Sequence, residues 1–518
     1  MRFVLLLTIS LLSFTVSAQL NITWVSSLPY SQLSSLWGYT APDNTEYALV
    51  GAYNGLSIVS LADPAAPEEL FFVEGAESAW REVKTFGHYA YVTNETGGGL
   101  LIVDLQDLPG AIDTVSYAGT ADHPFTTAHT LFVDENGILY LFGYNVVFGL
   151  TGAYMLDLNT DPMNPDFVAV YEDHYIHDAF VRNDTMWAAE IYDGRFEVLD
   201  ISDKTSFLSL GYAETYGVAT HNCEPDASGN ILFTTDEIFN GYITSFDISD
   251  LTDIQELDRY KHGDTALAIP HNVRVLGDFL VASHYSEGVV ILDASRPGLL
   301  VETGHYDTNP AGPDAFFEGA WEVYPYLPSG LLIVSDILEG LQVLQPEYVY
   351  AAFLEGVVTD EVTGASIPLA TIELTGTTAT AQADLLGQFE LGYHSAGIYD
   401  VSVSAPGCST RVFADVELEN GVTAILDAAL DCGTVALPAV PDCSGWLAGT
   451  DHSTGSVWIQ NYCTESNTTC TMTDLNGRMI WSGSVSGTDR YQIPVTTPPG
   501  IYFLADQLGQ TRSVTVMH

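Results

Sequence analysis

The sequence predicts an all-β protein: a seven-bladed β-propeller followed by two small β-sandwich domains. Two observations carry this. Residues 37 to 350 recur with a spacing of 43 to 50 residues, which is the span of one four-stranded blade. No segment of useful length follows a helical period, whereas short apolar runs broken by Asp, Gly, Asn and Pro recur throughout.

The repeats begin at Trp37, Trp80, His129, His177, His221, His271 and Trp321. Each parses as four strands. The first follows the His or Trp, and a polar turn such as Asn183-Asp184 or Leu276-Gly277 leads to the second. A glycine at 194, 241, 288 or 340 opens the third, and a turn rich in Asp and Pro leads to the fourth. The third strand ends on Asp104, Asp157, Asp200, Asp247 and Asp293, whose carboxylates are expected to accept hydrogen bonds from turn amides. The seventh copy has no full fourth strand, while residues 21–30 form an extra strand ahead of the first. Pairing these two ends in one sheet would close the ring and remove its exposed edges.

The chain has 518 residues, enough for several cores, and 47% of them are hydrophobic against 16% charged, which excludes wholesale disorder. Fourteen Lys and Arg face 67 Asp and Glu, a net charge of −53. Such a surface repels phosphate backbones and anionic lipid, so nucleic-acid and membrane-surface binding are disfavoured. The acids are spread along the chain rather than gathered in a tail, which suits a solvated surface in a salty habitat.

Met1-Arg2, the apolar run from Phe3 to Val16, and Ser17-Ala18 have the charged start, short apolar centre and small-residue exit of a secretory signal peptide, residues 1–18. Cleavage is expected after Ala18. No later stretch reaches the length and apolarity of a transmembrane segment, and no Cys follows the cleavage point to take a lipid anchor. Export permits disulfides. Cys432, Cys443, Cys463 and Cys470 are read as one or two bridges of open pairing, and Cys223 and Cys408 as buried small hydrophobes.

The segments GLLIVDL at 99–105, FEVLDIS at 196–202 and VVILDAS at 289–295 resemble the LVIVD repeat. The run from Trp37 to about Gln345, within a propeller domain of residues 19–350, is similar to the choice-of-anchor B family of bacteria. That resemblance implies a propeller body with an exchangeable C-terminal surface anchor and no established activity. Residues 353–430 read as short alternating strands and resemble the carboxypeptidase regulatory-like domain, through Gly356, Asp360, Gly364, Pro368, Ala370, Asp384, Gly387, Phe389, Gly397, Tyr399 and Gly407. The resemblance implies a spacer or binding accessory without zinc ligands. Residues 431–450 form a linker, and residues 451–518 resemble the type A sorting domain of the Bacteroidetes type IX secretion system, through Asp474, Gly477, Arg478, Gly500, Tyr502, Leu504 and the strand ending at His518. This implies the type IX secretion machinery as a partner, and a protein that is secreted, extracellular or attached to the outer surface.

One constellation could carry chemistry. His129, His177, His221 and His271 occupy one phase of successive blades, at the start of the strand expected to line the central channel. The second strand runs back, so its end should lie beside that start. This pairing sets His177 near Glu190, His221 near Asp236 and Glu237, and His271 near His284. Trp37, Trp80 with Arg81, Trp321 with Glu322, and Asp336 would complete a polar mouth with apolar walls. Three readings stand side by side. Each His could bond a neighbouring blade's backbone and be structural. The mouth could bind an extracellular ligand through Trp37, Trp80, Arg81, His129, Glu190, Asp236, Trp321, Glu322 and Asp336, or a divalent metal ion (Zn, Mn or Ca) through His177, His221, His271, His284 and Glu237. A metal-dependent hydrolase or lyase could use the same groups. Against an enzyme stands the absence of any nucleophile elbow, HExxH, P-loop or dinucleotide motif.

Overall fold

The computed structural model describes residues 19–145, 152–263, 268–310, 317–432, 446–451, 456–461, 467–474, 478–486, 491–493, 500–506 and 511–516. The expected leader, Cys443, Cys463, Gly477 and His518 lie outside the described residues.

Seven antiparallel four-stranded sheets make up residues 22–346. From the inner to the outer edge, blade 1 is Leu33–Thr40, Glu46–Ala52, Gly55–Ser60 and Glu68–Glu74, and blade 2 is Val83–Phe86, Tyr89–Val92, Leu100–Asp104 and Asp113–Tyr117. Blade 3 is Thr130–Val133, Ile138–Phe142, Ala153–Asp157 and Asp166–Tyr171, and blade 4 is Asp178–Arg182, Thr185–Glu190, Arg195–Asp200 and Leu208–Glu214. Blade 5 is Thr220–Pro225, Ile231–Asp236, Ile243–Asp247 and Gln255–Tyr260, and blade 6 is Val273–Leu276, Phe279–Ser283, Val289–Asp293 and Val301–Tyr306. Blade 7 takes Ala320–Tyr324, Leu332–Asp336 and Gly340–Pro346 from the end of the repeat region and Ile22–Leu28 from its beginning. The inner strands touch one another in cyclic order, and Ala320–Tyr324 lies against Leu33–Thr40 to complete the ring.

The sequence pattern explains the layering. Third strands such as Val289–Asp293 are buried along their whole length, whereas the outer strand Leu208–Glu214 is largely exposed. The second and third strands are covered on both faces by neighbouring blades, so they read as continuous apolar runs rather than alternating ones. One hydrophobic cluster fills each gap between blades. The closing gap is filled by Leu36, Val50 and Ala52 against Ile333, Leu341 and Val343, with Val25 and Leu28 of the N-terminal strand packed alongside. The expected pairing of the two chain ends is therefore present, Trp24 facing Leu344 and Leu28 facing Leu341.

The aspartates ending the third strands act as expected. Oδ1 of Asp104, Asp157, Asp200, Asp247 and Asp293 each accepts the amide two residues on, at 2.8–2.9 Å. Gly288 opens its strand at φ +77°, where an added Cβ would sit 2.2 Å from the Tyr306 carbonyl oxygen, so only glycine fits.

The chain divides into two compact units. The first holds the propeller and a sandwich. One sandwich sheet pairs Ala352–Asp360 with Gln388–Tyr393, Thr423–Ile425 and Ala428–Leu430; the other orders Thr380–Gln382, Thr371–Leu374, Gly397–Ser404 and Arg411–Leu418. Blade 6 carries this sandwich. Asp293 Oδ2 accepts the Ala351 amide at 2.7 Å, Arg296 pairs with Glu355, and Val301 packs on Phe353. The second unit takes residues 431–518 with Gly407–Ser409, and its described strands form two sheets. Among the described residues no helix is long and apolar enough to cross a membrane.

Cys223 and Cys408 differ in state. Cys223 is buried, its thiol donating to the Trp187 carbonyl. Burial pushes that thiol far above its ordinary pKa, which leaves it inert. Cys408 is not the isolated hydrophobe expected: it is half-buried and disulfide-bonded to Cys432. Sequence proximity favoured the C-terminal cysteines as partners for Cys432, but the turn after Gly397–Ser404 brings Cys408 alongside, where the Ser409 amide donates to the Asp431 carbonyl at 2.8 Å.

Candidate functional site

The leading ends of the inner strands bring four imidazoles into a continuous arc. Ring centroids lie 4.2 Å apart for His129 and His177, 4.5 Å for His177 and His221, and 4.2 Å for His221 and His271. Trp321 ends the arc 4.7 Å from His271. The blades thus place side chains 44 to 50 residues apart in direct contact, in an arc that spans the sequence from His129 to Trp321.

The partners of each ring fix which nitrogen is available. His221 Nδ1 donates to the His271 carbonyl at 3.0 Å, and His271 Nδ1 donates to the Trp321 carbonyl at 2.5 Å. Both rings therefore close onto the next blade's backbone, as the structural reading requires. A neutral imidazole that donates from Nδ1 keeps a lone pair on Nε2. Those two Nε2 atoms face Glu237, at 3.7 Å from Oε2 and 3.8 Å from Oε1. Glu237 is held in place by Tyr285, whose hydroxyl donates to Oε1 at 2.6 Å.

His129 and His177 make a different arrangement. His129 Nδ1 pairs with Glu95, its Nε2 is hydrogen-bonded to His177 Nε2 at 3.1 Å, and His177 Nδ1 is hydrogen-bonded to the Tyr175 hydroxyl at 3.3 Å. Burial alone would lower the His129 pKa, but the hydrogen bond and charge of Glu95 outweigh it and raise it. Burial, reinforced by neighbouring imidazoles, pushes His177 and His271 well below the ordinary value. Neutral imidazoles are the form that ligates a metal.

Two groups have ligand atoms within 4.8 Å of one another here: His221, Glu237 and His271, and His129, His177 and His221. The channel void bounded by His129, His221, His271, Asp178 and Trp321 is about 20 Å³. That volume holds one water or one ion and no organic ligand.

The remaining expected residues divide by where the chain turns. Trp80 is exposed beside the void, and buried Arg81 spends its guanidinium on the carbonyls of Ala52 and Ala76. Trp37 does not join this mouth. The inner strand of blade 1 begins four residues earlier, with a bulge between Leu33 and Leu36, so Ser34 and Ser35 meet Arg81 while Trp37 lies at the opposite mouth. Glu322 sits inside the channel, where it holds Arg274 with two oxygens.

The pairing expected from second-strand ends holds only for Glu237. Glu190 turns to Arg195 at 2.5 Å instead of His177; burial lifts its pKa to about 7 against the opposing pull of that guanidinium. Asp236 accepts from Thr215 and the amides of Gly217 and Ala219, and Asp336 accepts from Thr308 and the amides of Leu338 and Glu339. Both carboxylates cap loops between strands, which consumes their oxygens. His284 points away from His271 toward His262, with ring centroids 6.5 Å apart; burial drops its pKa to about 3. Its neighbour Tyr285, in the turn just beyond Phe279–Ser283 at φ +41°, takes the site-facing place 4.9 Å from His271. Tyr175 and Tyr285 are the participants that sequence reasoning missed, since both lie in connections outside the strands.

Comparison with known families agrees with the strands. Residues 354–431 match the carboxypeptidase regulatory-like domain, and residues 79–108 and 270–308 match the LVIVD repeat. No curated protein matches the chain. A solved structure named "putative 6-phosphogluconolactonase from Bacteroides uniformis" is similar at a TM-score of 0.41 and 14% identity, over 52% of this chain and 83% of that one. By its sheets and its matched segments, the chain is a seven-bladed β-propeller containing LVIVD repeats, followed by a carboxypeptidase regulatory-like domain.

Proposed function

We propose that the propeller binds one divalent transition-metal ion at the His-lined mouth, through His221, His271 and Glu237, and serves as an exported binding or adhesion module. One observation carries this reading: both Nδ1 atoms are committed to backbone carbonyls, which leaves both Nε2 lone pairs turned to one carboxylate. Metal-ligating histidines are oriented by such a bond on the other ring nitrogen. Two imidazoles and one carboxylate suit Zn²⁺ or Mn²⁺; Ca²⁺ prefers six to eight oxygens. The sequence carries no nucleophile elbow, HExxH, P-loop or dinucleotide motif, which favours binding over the metal-dependent hydrolase or lyase.

Export, surface attachment and passage through the type IX machinery in a bacterium of the Bacteroidetes belong to the same proposal. They are supported by the leader pattern, by the Cys408–Cys432 bridge, which requires an oxidising compartment, and by the likenesses to choice-of-anchor B proteins and the type A sorting domain. Protein recovered from the host's surface or medium should begin at Gln19.

The test is metal analysis of purified protein after exposure to Zn²⁺ and dialysis. One ion per chain is expected, with at least about tenfold weaker binding in Glu237→Gln and none in His221→Ala with His271→Ala. A wild-type protein that takes up no Zn²⁺ or Mn²⁺ and melts unchanged in their presence overturns the metal reading.

A further inference from the structure

The opposite mouth of the channel has different chemistry. Its cavity measures about 380 Å³ and is walled by Trp37, Phe132, Phe180 and Tyr326, with Lys84, Arg182 and Arg274 among the lining groups. Small-molecule sites begin at roughly 300 Å³ and combine apolar walls with a few placed polar groups. Three of the 14 basic residues of a chain with 67 acids converge on this one cavity.

The three cations are not equivalent. Lys84 is paired with Glu82, and Arg274 is clasped by Glu322 and faces Glu224 at 3.7 Å. Three channel carboxylates thus offset these two cations. Arg182 stands nearer the surface on the last position of its inner strand. Its guanidinium donates to the Asp226 carbonyl at 2.8 Å, and among the described residues no carboxylate lies within 4 Å of it. A guanidinium has five N–H donors and stays charged, so one carbonyl leaves it able to grip a carboxylate with two parallel bonds. Beside it, Phe132 and Phe180 project from equivalent places in neighbouring blades with centroids 5.0 Å apart, and Arg182 lies 5.7 Å over the Phe180 ring.

We propose that this mouth binds a small organic anion: a ring whose apolar face lies on Phe132 and Phe180 and whose carboxylate pairs with Arg182. Aromatic acids and uronic sugars share that chemistry. The site is separate from the metal site, since no residue lines both voids.

Calorimetric titration of the full mature chain distinguishes the sources and tests the claim. Phenylacetate and galacturonate are the probes; phenylacetamide and galactose are their neutral counterparts. At least one carboxylate should bind, with its neutral counterpart and the Arg182→Gln protein each weaker by about tenfold or more. Which probe binds assigns the aromatic or the sugar source. Phe180→Ala should also weaken binding, while Zn²⁺ uptake and the melting temperature of Arg182→Gln remain those of wild type. Absence of binding by both carboxylates up to about 10 mM, equal binding of a neutral counterpart, or unchanged binding in Arg182→Gln would each overturn the proposal without touching the metal reading.

Discussion

An imidazole can be structural and chemically available at once, because its two nitrogens act independently. His221 and His271 use Nδ1 to close blades and leave Nε2 free of that task, so the structural role of the rings is compatible with the proposed metal site. The spacing of the histidines showed that they would meet. It could not show which acids would join them, because Glu190, Asp236 and Asp336 are drawn off by local amides and Arg195, contacts that depend on loop paths. A second histidine cluster gives a pH prediction. His262 Nδ1 lies 2.9 Å from Glu302, which also accepts from Tyr260, with Glu287 at 3.7 Å and His305 stacked on the ring. Burial opposes ionisation of both groups, but their mutual attraction wins, raising His262 and lowering Glu302. The raised His stabilises below its unfolded value near 6.5 and loses that contribution as pH rises through its folded value; the lowered Glu stabilises above about 4.5 and loses it as pH falls. Glu302→Gln should therefore destabilise by about 1–2 kcal/mol between pH 4.5 and 6.5, with the deficit shrinking at pH 9. Melting curves across that range check it, and a pH-independent deficit would refute the ion pair.

At the level of strands, the period, the third-strand aspartates and the borrowed strand of blade 7 were legible because each follows from local pattern or from the need to cover an edge. The start of blade 1 was not. A bulge shifts the phase by residues that the apolar pattern cannot count, and Trp37 was carried to the wrong end of the channel. The borrowed strand has a measurable consequence. Ile22 is buried between blades 6 and 7, and Val25 and Leu28 pack in the closing gap. Deleting residues 19–30 exposes the edge of Gly340–Pro346 and strips those side chains, each worth about 1.5–3 kcal/mol when fully buried. The truncated protein should melt several degrees lower and self-associate in size-exclusion chromatography. A monomer with wild-type melting would mean that the ring does not depend on this strand.

For the whole molecule, composition predicts behaviour that no single contact does. With a net charge of −53, folding gathers like charges that the unfolded chain spreads apart, and this self-repulsion lowers stability. Most surface ion pairs contribute at most about 1 kcal/mol, and 14 cations cannot offset 67 acids. Added salt screens both effects, shortening the Debye length from about 30 Å at 0.01 M to about 3 Å at 1 M. Because repulsion is the larger sum, the melting temperature should rise by several degrees as NaCl increases from about 0.01 M to about 0.5 M, and by the same amount in KCl. A protein held together chiefly by ion pairs would show the opposite slope. The experiment is calorimetry on metal-free protein, so that ion uptake at the histidines does not enter the comparison. A melting temperature that falls with salt would mean that the channel pairs Arg274–Glu322 and Lys84–Glu82 outweigh the acidic surface.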